Sequence, residues 1–209
     1  MMIYLLSPLK RDKTISLPMI RFETTATKID FLDIDTLMFT SKQAVITANN
    51  IDKSWKNYSS IAIGGATKAK IEELGGEVIF YPKKFYGKEL ASNIKEFFSH
   101  RKILYLRPQK VSFDSRAFLE KDGINLKEQI IYKTLCKKYL SKDKPIKGST
   151  IIFTSPSTIN CFFKNFSWDS SYTAILIGEA TKTHLPKYCK YKVADKPLID
   201  SCIKKALEV

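Results

Sequence analysis

Short apolar runs alternate with amphipathic stretches along most of the chain. Residues 36–40, 59–63, 77–81, 102–106 and 129–134 are runs of four to six residues rich in apolar and β-branched side chains and bounded by polar or glycine-containing segments, which predicts buried strands. Between them, residues 87–100 place Leu90, Ile94 and Phe97 on one face at helical spacing, and residues 114–121 form a shorter helix stopped by Gly123. The same alternation resumes with strands at 151–154, 173–177 and 191–194 and closes with a helix at 198–207. Strands alternating with helices imply parallel sheets flanked by helices.

The pattern repeats with a fixed offset. Phe39-Thr40-Ser41 recurs as Phe153-Thr154-Ser155, 114 positions later, and Ile63-Gly64-Gly65-Ala66-Thr67-Lys68 recurs as Ile177-Gly178-Glu179-Ala180-Thr181-Lys182 at the same offset. Two separate phrases in one register argue for two duplicated units of strand, turn, helix, strand, turn, helix. Ser41 and Ser155 stand where a helix N-cap belongs, and Pro156 occupies the first helical position, where proline loses no hydrogen bond. Gly64 and Gly178 are read as letting the backbone turn sharply from strand to helix, with the following amides and the positive helix end pointing outward toward an anionic group.

One strand, residues 3–6, precedes the first unit and has no neighbour in sequence to pair with. The second unit is short of strands, so the simplest assembly adds this one to it. The expected organisation is a discontinuous α/β domain of residues 1–18 and 149–209, an inserted α/β domain of residues 32–134, and two connections at 19–31 and 135–148. Ligands of parallel sheets bind at the carboxyl ends of the strands, so a site is expected in the cleft between the two domains.

Charge and cysteine usage narrow the chemistry. Thirty-five Lys and Arg against 21 Asp and Glu leave a net charge of +14, which favours an anionic partner. The only apolar N-terminal run is too short to span a bilayer and its basic cluster follows it, so a cytoplasmic protein without membrane association is expected. Cys136, Cys161, Cys189 and Cys202 are scattered with no Cys-x-x-Cys pair, which argues against a disulfide framework or a zinc site. With only His100 and His184, a histidine-rich metal centre or a serine triad has little to build on, and both are expected at the surface.

In their order and spacing, a strand ending in Phe39-Thr40-Ser41, an Ile-Gly-x-x-Thr at 63–67, Tyr132-Lys133-Thr134 before the second crossover, Phe153-Thr154-Ser155-Pro156-Ser157 and a second Ile-Gly-x-x-Thr at 177–181 resemble the uroporphyrinogen-III synthase family. The resemblance covers nearly the whole chain. It implies two similar α/β domains, each a parallel sheet flanked by helices, joined by a two-stranded linker. It implies a lyase that cyclises hydroxymethylbilane with loss of water and inversion of ring D to give uroporphyrinogen III, without metal or organic cofactor, and hydroxymethylbilane synthase as a partner upstream. Tyr132 matches the family tyrosine that assists the leaving hydroxyl. Thr67 and Thr181, with Gly64 and Gly178, match the family's carboxylate-binding motif through hydroxyl and amide, and Ser41 and Ser155 match its strand-end serines. Arg107 is a further carboxylate candidate at a strand end, as are Lys42 and Lys10.

The chain departs from the family between Pro8 and Ile15. Six residues there cannot form a helix of useful length, so the discontinuous domain is expected to lack its first helix, with one sheet face thinly covered or covered by another element or a second chain. Whether residues 15–22 form a sheet strand is left open by the sequence.

Two other classes are weighed against the enzyme. A non-catalytic two-domain binding or regulatory protein for an anionic small molecule shares the doubled plan, but there is no secretion signal and no helix-turn-helix with a basic recognition helix. Nonspecific nucleic-acid binding through Lys137, Lys138, Lys142, Lys144 and Lys147 lacks the aromatic side chains of a stacking platform, and no nucleic-acid partner is expected.

Overall fold

The computed structural model describes residues 2–84 and 86–209 and divides into two compact units. Unit 1 comprises residues 1–21 and 134–209, and unit 2 comprises residues 22–133, so the chain passes from one to the other twice. Among the described residues no helix is long and apolar enough to cross a membrane.

Unit 2 is built on a six-stranded sheet ordered β3-β8-β7-β4-β5-β6. Its strands are β3 (Ile20–Thr24), β4 (Thr36–Phe39), β5 (Ser59–Ala62), β6 (Glu77–Phe80), β7 (Ile103–Pro108) and β8 (Lys127–Cys136). β6, β5, β4, β7 and β8 are parallel. Helices α1 (Lys42–Ile51), α2 (Gly65–Glu73), α3 (Gly87–Phe97) and α4 (Ser115–Glu120) make the crossovers. The period-2 alternation of β4 sends Leu37 and Phe39 to one face, with Trp55, Ile71 and Tyr132, and Met38 to the other, with Leu90, Ile94 and Tyr105. Gly123 ends α4 as the sequence implies: at φ +72° it adopts the left-handed conformation that favours glycine. Phe97, placed by spacing on the inner face of α3, is exposed. Ala91 is buried beside Leu90 and Ile94 instead, and Phe98 packs against the core.

Unit 1 carries a five-stranded sheet ordered β11-β10-β9-β1-β2 from β1 (Ile3–Leu5), β2 (Ile15–Ser16), β9 (Thr150–Phe153), β10 (Thr173–Leu176) and β11 (Tyr191–Val193), all parallel. Its helices are α5 (Pro156–Asn165), α6 (Glu179–Lys182) and α7 (Ile199–Leu207). β1 pairs with β9, which puts the leftover N-terminal strand in this sheet. α7 covers one face over Ile3, Leu5, Ile152 and Ile175, and Phe153, Phe162, Trp168 and Tyr172 form an aromatic cluster elsewhere in the unit.

The duplication holds residue by residue. β4, α1 and β5 recur 114 positions later as β9, α5 and β10 with the same bounds. α6 has four residues where α2 has nine, because Pro186 falls where unit 2 has Glu72, removing a donor and clashing with the preceding turn. The two sheet orders superpose as β6-β5-β4-β7-β8 on β11-β10-β9-β1-β2.

Between β1 and β2 there is no helix, as the short spacing implies. β2 is nevertheless a sheet strand, reduced to two residues that pair with Tyr4 and Leu5. Ile15 is 39% exposed, the consequence of the absent crossover helix. The expectation against a disulfide is overturned: Cys136 at the end of β8 bonds Cys161 in α5, their Cα atoms 5.2 Å apart. A separation of 25 residues carries no spacing motif; the segment that follows β8 lies against α5, where Asn165 binds Lys137 O and Tyr139 N.

Candidate functional site

Each unit gathers its predicted residues at the carboxyl edge of its own sheet. In unit 2 the ends of β4 and β5 are tied by Ile63 N donating to Phe39 O at 2.9 Å, and in unit 1 those of β9 and β10 are tied by Ile177 N donating to Phe153 O at 3.1 Å. Because the strands are parallel, Ser41, Gly64, Thr67, Arg107 and Tyr132 share one edge, and Ser155, Gly178 and Thr181 share the corresponding edge of unit 1.

Ser41 is the N-cap of α1, its Oγ accepting from Ala44 N at 3.0 Å. The same oxygen lies 2.9 Å from the phenol oxygen of Tyr132, two strands away. Tyr132 is 4% exposed and packs edge-on against Phe22. Burial pushes its phenol above the ordinary tyrosine range, and the bond to Ser41 pulls partly back. Ser155 caps α5 through Thr158 N, and Thr158 Oγ1 returns a bond to Ser155 N in a reciprocal capping box. Both serine hydroxyls thus accept from their own helix, and Ser41 alone has a tyrosine hydroxyl beside it; Ala44, at the position matching Thr158, leaves α1 without the reciprocal half of the box.

Gly64 and Gly178 do not serve as the conformational hinges the sequence reading made them. Their φ values, 174° and 179°, are extended backbone open to any residue. At Gly178 nothing lies within 4 Å of where a Cβ would sit, so the glycine leaves space at the strand edge. Neither α2 nor α6 has a side-chain cap. Thr67 and Thr181 are 4% and 3% exposed. Their amides already donate to Gly64 O and Gly178 O, both at 3.0 Å, which leaves the hydroxyls, not the amides, as the groups to offer.

Arg107 is less available than its strand-end position implies. Its Nε lies 3.0 Å from Glu128 Oε2, with side chains 18% and 11% exposed, and one terminal nitrogen reaches the carbonyl oxygens of Pro108 and Gln109. Lys10 and Lys42 are exposed, as are His100 and His184. Among the described residues no three His, Cys, Asp or Glu side chains are grouped to hold a metal. A cavity of about 350 Å³ lined by Asp30, Arg116, Lys127 and Glu128 opens at the amino end of β8, away from Tyr132, and mixes both signs of charge.

Three residues of unit 2 that partner the site escaped the sequence reading. Thr40 Oγ1 and Tyr105 OH share a 2.6 Å hydrogen bond on the face opposite Ser41 and Tyr132, and Glu128 is the partner of Arg107. Tyr105 sits inside the apolar run Ile103-Leu104-Tyr105-Leu106, where nothing but the strand register sets it apart.

The family model for uroporphyrinogen-III synthase HemD matches residues 13–204. A porphyrin biosynthesis protein HemD of Ruminiclostridium josui is 31% identical over 159 residues. The match spans 70% of this chain and 31% of that protein, so the chain accounts for about a third of this curated relative. The crystal structure of uroporphyrinogen-III synthetase from Helicobacter pylori 26695 is similar at 25% identity, with a TM-score of 0.78 over 99% of this chain and 98% of that one. A mutant uroporphyrinogen III synthase from the extremely thermophilic bacterium Thermus thermophilus shares the fold at 12% identity, with a TM-score of 0.58 over 100% of this chain and 99% of that one. With the doubled parallel α/β plan and the two strand-edge motifs in place, the chain belongs to the uroporphyrinogen-III synthase HemD family.

Proposed function

We propose that the protein is a uroporphyrinogen-III synthase that closes hydroxymethylbilane into uroporphyrinogen III with loss of water. The observation that carries the reading is the Ser41–Tyr132 hydroxyl pair at the carboxyl edge of the unit 2 sheet, in a chain whose family membership runs from residue 13 to 204.

Ser41 Oγ accepts the Ala44 amide proton and can donate its own proton to the Tyr132 oxygen. The phenol proton is then free to point at the hydroxymethyl oxygen. Burial keeps that phenol protonated at neutral pH, so Tyr132 acts as a hydrogen-bond donor to the departing oxygen and not as a base. The electron-rich pyrrole nitrogen supplies the electron pair that expels the oxygen, which takes the phenol proton and departs as water, leaving an azafulvene cation; the proton released from the free carbon of ring D when the macrocycle closes restores the phenol. That cation must be attacked by the substituted carbon of ring D, and the resulting spiro intermediate fragments and recombines with the ring inverted. Selecting this carbon over the free position is a matter of proximity and orientation, which demands a held substrate more than a strong acid.

The groups offered to the substrate's carboxylates are the hydroxyls of Thr67 and Thr181, the strand ends at Gly64 and Gly178, and the serines Ser41 and Ser155. Arg107, neutralised by Glu128, serves as a carboxylate partner by exchanging Glu128 for the substrate. The net charge of +14 suits a polyanionic substrate. No step calls for a metal or organic cofactor. Hydroxymethylbilane synthase, which makes the substrate, is the natural upstream partner, and a cytoplasmic setting follows from the same reading.

The test is the isomer ratio of uroporphyrinogen formed when the protein is added to freshly generated hydroxymethylbilane. A dominant type III product is expected. Type I alone, from demonstrably folded protein, means a binding scaffold without turnover.

A further inference from the structure

We infer that Tyr105 is a positioning residue for the Ser41–Tyr132 pair, holding it through Thr40; the inference rests on the proposed synthase reading for its catalytic consequence, though not for its structural one.

Thr40 and Ser41 are the two residues between the last residue of β4 and the first of α1. Being consecutive on an extended chain, they project to opposite sides, and each side has a tyrosine waiting. Thr40 Oγ1 meets Tyr105 OH at 2.6 Å, and Ser41 Oγ meets Tyr132 OH at 2.9 Å. Tyr105 pairs in register with Met38, so its side chain leans one two-residue step along the strand, roughly 7 Å, to reach Thr40. The Tyr105 hydroxyl is spent on Thr40, which engages this tyrosine with the turn. Ser41 is therefore fixed from three directions: by Ala44 N of its own helix, by Tyr132, and through the backbone of Thr40 by Tyr105.

The duplication supplies an internal control. In unit 1, β1 occupies the place of β7, and the residue facing Ile152, the counterpart of Met38, is Leu5. A fully buried leucine thus stands where unit 2 has Tyr105. The strand–turn–helix it flanks still runs from Thr150 to Asn165 with the same bounds as its twin, so the turn does not need a tyrosine in order to form. The unit that has the second tyrosine is the one that carries the Ser41–Tyr132 pair. One structural rival survives this comparison. Unit 1 steadies its turn with the Ser155–Thr158 capping box, and unit 2, with Ala44, could be using Tyr105 as a substitute.

Three variants separate these roles. Tyr105→Phe removes only the hydroxyl. Ala44→Thr restores the capping box, and the double variant combines them. With hydroxymethylbilane as substrate, Tyr105→Phe is expected to lower kcat for type III formation about fivefold at unchanged KM, about what losing one neutral hydrogen bond implies, and to raise the type I fraction. The double variant should regain thermal stability but not kcat. Wild-type kcat and isomer ratio in Tyr105→Phe, or full recovery of kcat in the double variant, would overturn the inference. A second readout needs no turnover: in protein labelled with carbon-13 at tyrosine Cζ, Tyr105→Phe should shift the Tyr132 resonance. An unmoved resonance sinks the positioning role whatever the wild type makes. A shifted resonance in a wild type yielding only type I would leave the positioning intact and remove the synthase reading alone.

Discussion

Ser41 and Tyr132 are 91 residues apart in sequence and their hydroxyl oxygens are 2.9 Å apart in space. If Ser41 acts through Tyr132, their substitutions cannot be independent. Tyr132→Phe should slow uroporphyrinogen III formation about a hundredfold, the lower end of what a positioned proton donor contributes. Ser41→Ala should slow it less, about tenfold, and also cost about 1 kcal/mol of stability through the lost N-cap. The double variant should be no slower than Tyr132→Phe alone. Initial rates of type III product decide it, and multiplying costs would separate the two residues.

Burial, against a smaller opposing pull from the Thr40 bond, holds the Tyr105 phenol at about 12 instead of the usual 10. A raised folded-state value means the folded protein keeps a proton that the unfolded chain releases. The stability this contributes is present in full below pH 10 and is lost as pH rises from 10 to about 12. The raised phenol of Tyr132 acts in the same direction. Urea unfolding at pH 8, 10 and 11 should show a stability decline above pH 10 that is shallower in Tyr105→Phe. An equal decline in both would mean that other groups carry it.

Space at Gly178 separates binding from folding. With φ near 180° and nothing within 4 Å of a new Cβ, Gly178→Ala should leave stability within about 0.5 kcal/mol of the wild type. If a substrate carboxylate approaches that strand end, the added methyl group should raise KM several-fold. Thr67→Val and Thr181→Val, which keep shape and lose the hydroxyl, should do the same with little change in kcat. Unchanged KM in all three would remove these strand ends from the site.

The Cys136–Cys161 bond closes a loop with a sequence separation of 25 residues, and chain-entropy reasoning assigns such a link about 3.5 kcal/mol. Cys161→Ser should lower the thermal midpoint of oxidised protein, and excess reductant should bring the wild type down to match it. Asn165 also grips the adjoining segment, donating to Lys137 O at 2.9 Å and accepting from Tyr139 N at 2.8 Å, so the reduced protein should stay folded. A wild type indifferent to reductant would show that the thiols do not pair.

Much of the molecule was written in local pattern. The offset of 114, the serine caps, the proline opening α5 and the missing helix after Pro8 all follow from periodicity, capping preference and chain length, which act within a few residues. The family motifs likewise named Ser41 and Tyr132 one by one. Their bond to each other was beyond reach, as were Tyr105 beneath Thr40, Glu128 beside Arg107 and the Cys136–Cys161 link. The hydroxyl pairs and the Arg107–Glu128 contact depend on which strands are neighbours and in what register, the disulfide on where α5 packs, and a shift of one residue would send Tyr105 to the other face of the sheet. Alternating apolar positions say that a strand has two faces. Only the assembled sheet, settled by the packing of all its strands and helices together, decides which hydroxyl a tyrosine on one of those faces will meet.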